Sequence, residues 1–276
     1  MAIVNQLTLS GLAGALYLLL GLHFWHTRWR EGRAALSVTQ ERCAIGIALF
    51  LHAAALKLAL LSDDDLNFSF SLAFSLMAWL AVLIYWLENF RVRMDGLQPI
   101  VLSVGALAAF LTILFPESRV IAHAHDQREG FLLHFLPAML ASSLFLLAAA
   151  HAIFMGIVEK RLHQPQTSRR MTNMPPLLAM ESLLFRMLTV AFALLTLVLG
   201  SGFFYAEALY GHAPGLNHKT VFALISWLIF AVLLAGRHIY GWRGRKALRL
   251  TLSGFVALFL AYVGSRFVLE VVLHRY

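Results

Sequence analysis

Charge and cysteine are what this sequence has least of. Only 13% of its 276 residues are charged, about half the ~25% usual in a soluble globular domain, which excludes a chain whose surface is mostly solvated. Cys43 is the single cysteine, so a disulfide framework, a CxxC redox pair, a zinc knuckle and a CxxCH haem attachment site are all excluded. No carboxylate pair, nucleophile with an adjacent base, phosphate loop or HExxH motif is present, and an enzyme is not expected. The first ten residues, MAIVNQLTLS, lack the basic residues that open a cleavable signal, so the first apolar run is read as a retained helix. Internal repeats are not evident either, which weighs against a transporter built from inverted repeats.

What fills the chain instead is apolar: 60% of residues are hydrophobic. At ~20 apolar residues per crossing, that is enough for about eight spans. Apolar runs bounded by charge or turn signals fall at roughly 6–24, 43–61, 68–88, 98–115, 131–156, 185–208, 219–236 and 250–272. Strand-like alternation does not compete with them. The expected fold is therefore all-α: a bundle of eight transmembrane helices forming a single integral membrane domain over 1–276, with no room for a sizeable soluble domain. Between the fifth and sixth spans, the stretch LLAMESLLFR (177–186) is amphipathic and is expected to lie along the inner interface.

The net charge of +8 has a topological reading. Loops one, three, five and seven hold 15 Lys and Arg, among them Arg28, Arg42, Arg93, Arg161, Arg237 and Arg243, against 4 in the other loops and the C-terminus. Short loops rich in these residues stay in the cytoplasm, so both termini are expected outside, and with them the acidic connector Asp63-Asp64-Asp65. Basic residues spread over four short loops, without an aromatic platform, do not make a nucleic-acid surface. The lipid bilayer is the partner they fit.

Ionisable side chains inside spans cost ~2.5–3.5 kcal/mol each on insertion scales. The candidates are His52, Lys57, His134, His151, Arg186, Arg266 and Glu270. Arg266 and Glu270, one turn apart, can neutralise each other. Lys57 can snorkel towards the acidic connector or offer a cation to an anionic ligand. At 1.5 Å per residue, His134 and His151 stand about 25 Å apart along one helix and cannot share a metal. His134 opens the fifth span and His274 closes the eighth, so both fall at the outer face, where two imidazoles from different helices can ligate a haem axially. His52 lies near the middle of its span. His123, His125 and Asp126, and His212 and His218, read as solvated loop residues.

The second half of the chain carries a resemblance. FLLHFLPAMLASSLFLLAAAHAIFM, then MPPLLAMESLLFRMLTVAFALLTLVLGSGFF, KTVFALISWLIFAVLLAGR, GWRGRKA and a terminal VLHRY together resemble the integral membrane family of cytochrome c assembly proteins. That family is the haem-handling CcsA/ResC group with its HemX-like and YpjD-like relatives. The resemblance covers roughly 131–276 and implies an eight-helix protein of the bacterial inner membrane that binds or handles haem in cytochrome biogenesis. Position by position, His134 and His274 stand where the haem exporters carry two outward-facing axial ligands, and His52 matches a family histidine in an early span. Lys57 or Arg266 would then pair with the haem propionates. The Trp-rich outer loop of the exporters is replaced by YGHAPGLNHKT (210–220), and Ala235 stands where an inner ligand would lie, within Leu234-Ala235-Gly236-Arg237. These departures resemble the HemX-like and YpjD-like branch. Two other readings stay open: a cofactor-free accessory or regulatory subunit of another membrane protein, and a small-solute transporter using Lys57, Arg186, Arg266 and Glu270.

Overall fold

The computed structural model describes residues 2–33, 35–62, 65–115, 119–122, 128–162, 176–210 and 218–264. Each expected apolar run is a helix: α1 Ala2–Phe24, α2 Val38–Leu60, α3 Phe70–Glu88, α4 Gln98–Leu114, α5 Arg128–Leu162, α6 Leu177–Tyr210, α7 His218–Tyr240 and α8 Gly244–Phe259. Seven of these segments are long and apolar enough to cross a membrane, and α4 is a shorter apolar helix of 17 residues. The chain is a polytopic membrane bundle. α1 continues through a π-helical turn, Trp25–Glu31, and α8 through another, Leu260–Gly264.

Two local features differ from expectation. Strands were not expected, yet the connectors after α2 and α4 form a small antiparallel sheet in the order β1 Leu61–Ser62, β2 Asp65–Phe68, β3 Arg119–Ala122. Ser62 pairs with Asp65 and Phe68 with Arg119, with an irregularity between Leu66 and Asn67. Connectors leaving the bundle must still satisfy their backbone amides, and pairing with each other does so; segments of two to four residues are too short to show alternation. The stretch 177–186, expected at the interface as a separate segment, is instead the first part of a continuous helix of 34 residues. Glu181 does not interrupt it because that carboxylate is paired, as described below.

The chain falls into two compact units, Met1–Ala122 with Ile153–Met180, and His123–Ala152 with Glu181–Tyr276. In the first unit α1 packs on α2 and α4, and α3 packs on the same two helices. Small residues permit the approach, as expected where apolar tails offer no hydrophobic drive and packing must hold helices together. A side chain at Gly14 would meet the Phe110 ring at 3.0 Å, and one at Gly105 would meet Val82 and Tyr17 at 3.2–3.3 Å. Tyr17, Phe24, Tyr85 and Leu102 are fully buried there. Interhelical hydrogen bonds add to the packing: the indoles of Trp79 and Trp86 donate to the carbonyls of Leu49 and Arg42.

Several arginines counted above as topology labels also hold this unit together. Arg28, in the π-helical turn, is buried and donates to Glu41 at 2.5 Å, with Asp95 at 3.7 Å and Arg93 bridging Asp95 at 3.0 Å. Arg42 donates to the Asn89 carbonyl and lies 4.2 Å above the Phe90 ring. Gly32 ends the turn with φ 70°, a left-handed conformation that glycine adopts without penalty. In the second unit, Phe145 of α5 stacks on Phe230 of α7 at 4.0 Å. Gly254 of α8 lets that ring come so near that a Cβ would be 2.7 Å from it, and Ser226 donates to the Gly254 carbonyl.

Candidate functional site

His134 sits in the second turn of α5, three residues before Pro137. Proline has no amide hydrogen, so the carbonyl four residues before it loses its helical donor. The imidazole is half-buried, and its Nδ1 lies 2.9 Å from the Ser201 hydroxyl on α6. Ser201 in turn donates its single proton to the Val198 carbonyl at 3.1 Å. With that proton on Val198, the serine oxygen accepts and Nδ1 carries the imidazole proton, which leaves Nε2 as the basic nitrogen of the ring. Metal-binding histidines are oriented by this same kind of support, a hydrogen bond at the nitrogen that does not ligate. Gly202 completes the setting: the ring's Cε1 is 3.6 Å from where a Cβ on that residue would lie. Lys219, in the first turn of α7, places its charge where it acts on the imidazole.

The sequence pointed to His134 but not to its neighbours. Ser201 and Gly202 belong to LGSGFF, which reads as small residues for helix packing; its serine is the histidine's support, and only a contact spanning 67 residues reveals that. Lys219 was also missed as a cation near the site.

His52 and Lys57 belong to the first unit. His52 is buried, with Nε2 2.8 Å from Ser75 Oγ and its ring edge-on to Tyr17. Gln6, Ser10, Ser75 and Thr112 surround it in a space closed even to a water molecule, so no porphyrin fits against it in this conformation. Lys57 is exposed in the last turn of α2. Arg186 is exposed on α6 and His151 is buried on α5. His274, Arg266, Glu270, His123, His125, Asp126 and His212 lie outside the described residues. Among the described residues no three His, Cys, Asp or Glu side chains converge as a metal cluster would require.

The opposite end of α7 carries a second polar cluster. Arg237 donates to Glu181 at 2.6 Å and to the Trp242 carbonyl at 3.4 Å, and lies 4.6 Å above the Phe185 ring; Arg243 approaches Glu181 at 3.4 Å. The Trp242 indole covers Gly236 so closely that no side chain fits there, while Ala235 is exposed. The segment therefore makes a structural clamp, without an imidazole among its members.

The family model described as cytochrome C assembly protein matches residues 45–273. The chain belongs to the cytochrome c assembly protein family. It is 30% identical over 228 residues to the inner membrane protein YpjD of Escherichia coli K12, covering 82% of this chain and 85% of that protein. Shorter matches reach the cytochrome c biogenesis protein CcsA of Cyanophora paradoxa, 36% identical over 31% of this chain and 26% of that protein. CcsA of Prochlorococcus marinus NATL1A is 37% identical over 35% and 30%. No solved structure matches. Family, relatives and apolar helices together make this a multi-pass inner-membrane protein related to cytochrome c biogenesis.

Proposed function

We propose that this member of the cytochrome c assembly family is a non-catalytic haem-binding protein, one integral membrane domain with both termini outside. It holds haem at the outer end of its second unit. The observation that carries the reading is the His134–Ser201–Val198 chain, which sets the imidazole in the tautomer whose Nε2 can ligate iron. His274 supplies the second axial nitrogen, and Lys219 and Arg266 supply cations for the propionates. Haem iron accepts two axial imidazoles when they come from facing helices. Lys57 serves its own helix end, and His52 the packing of its unit. The charge bias of 15 to 4 supports the orientation.

The test is titration of haemin into the purified protein. Native protein takes up haem with a Soret band, His134→Ala and His274→Ala each shift the band and weaken uptake, and His52→Ala leaves both unchanged. A band unmoved by both of the first two substitutions removes the proposal. The Glu181–Arg237–Trp242 clamp, which takes the position of an inner ligand, favours one alternative: a cofactor-free accessory subunit. That reading predicts a colourless protein co-purifying with a stoichiometric membrane partner.

A further inference from the structure

The end of α1 and the start of α4 enclose an open apolar groove of about 430 Å³, inside the ~300–1,000 Å³ range of small-ligand sites. Its walls include Gly21, Trp25 and Trp29 on one side and Pro99, Ser103 and Leu107 on the other. The absent side chain at Gly21 helps to make the hollow: the nearest atoms to a Cβ there would be those of Ser103, Leu102 and the Pro99 carbonyl, at 3.5–3.7 Å. Trp29 is fixed on both sides, its indole N–H donating to the Gly96 carbonyl at 2.8 Å and its ring stacking on Phe154. It therefore offers the groove apolar surface and no unmet donor.

Each tryptophan also carries a guanidinium. Arg30 lies 4.3 Å from the Trp25 ring and Arg161 lies 5.0 Å from the Trp29 ring. Glu31 beside them is engaged by Arg33 at 2.8 Å and approached by His26 at 3.5 Å; with Glu31 and Glu159 set against Arg30, Arg33, Lys160 and Arg161 in these two segments, the local balance is cationic. Apolar walls with indoles and arginines at one end complement an amphiphile that has an aliphatic tail and an anionic head. A flat lipid-facing surface offers a tail one contact side; a concave one with a glycine floor offers several. We propose that this groove is a binding site for an anionic phospholipid, its acyl chain lying along Gly21 and Leu107 and its headgroup meeting Arg30 and Arg161.

The experiment is native mass spectrometry of the delipidated full-length protein. Phosphatidylglycerol and phosphatidylcholine of identical chains are added in turn. One phosphatidylglycerol is retained in preference to phosphatidylcholine. Arg30→Gln, at an exposed position, lowers that preference about fivefold, the equivalent of ~1 kcal/mol for one basic side chain near anionic lipid. Leu107→Trp fills the groove from a side chain that is 56% exposed and abolishes retention of either lipid, whereas Leu114→Trp, 70% exposed on the same helix outside the groove, changes nothing. His134→Ala also changes nothing, which separates this site from the haem proposal. Equal retention of the two lipids, unchanged retention in Leu107→Trp, or one-for-one displacement of phosphatidylglycerol by haemin overturns it.

Discussion

The two units use their histidines in opposite ways. In the first, His52 is enclosed by side chains from α1, α2, α3 and α4, and its hydrogen bond to Ser75 ties two helices together. In the second, His134 is half-buried, with its Nδ1 held by Ser201. Depth within a span does not distinguish the two histidines. Access to the ring does: the space around His52 is closed even to a water molecule, whereas His134 is half-buried. The charges divide in a similar way: Arg28 with Glu41 and Asp95 neutralise one another as structure, while Lys219 is exposed and acts on the His134 imidazole.

The largest effect that would break this contrast lies in the first unit. Glu41→Ala leaves the Arg28 guanidinium buried without its main partner, and loss of one member of a buried pair costs about 3–5 kcal/mol. Thermal unfolding in detergent should show a large fall in midpoint, while the haem spectrum of the remaining folded protein stays native. A spectral change instead would couple the charge network to the site. Next in size is Ser201→Ala, which removes the support of His134 without touching the ligand. Haem affinity should fall about 10–100-fold, the usual cost of losing such an outer partner, with little change in thermal stability. Unchanged affinity would mean that the tautomer is set by another group.

Smaller again is Gly254→Leu. The added side chain meets Phe230 in the second unit, and overpacking there should cost about 1–3 kcal/mol in thermal denaturation. A neutral outcome would show that α7 and α8 can separate freely. Ser75→Ala should cost the least, about 0.6 kcal/mol, the average for an interhelical hydrogen bond in a membrane. Its haem spectrum should match the native one, and a Soret shift would return His52 to the list of ligands.

All eight helices were legible in the sequence because each apolar run ends in charge or turn residues. What was not legible depended on partners far away in sequence. Glu181 reads as a break until Arg237, 56 residues on, accepts its charge, and α6 then runs unbroken. Arg28 reads as a loop label until Glu41 pairs with it from the next helix. The strands are too short to carry a pattern. His134 was found from its depth and its family position together, whereas Ser201 looks like any other small residue facing a neighbouring helix. Local composition reveals spans and their ends; it does not reveal which polar groups are already satisfied.

The most direct test is the absorption spectrum of gently purified native protein beside that of His134→Ala. The account predicts a Soret band with the low-spin character of two imidazole ligands in the native protein, and loss of that character in the variant. A native spectrum without a Soret band in haem-replete preparations, or one identical in the variant, would contradict it.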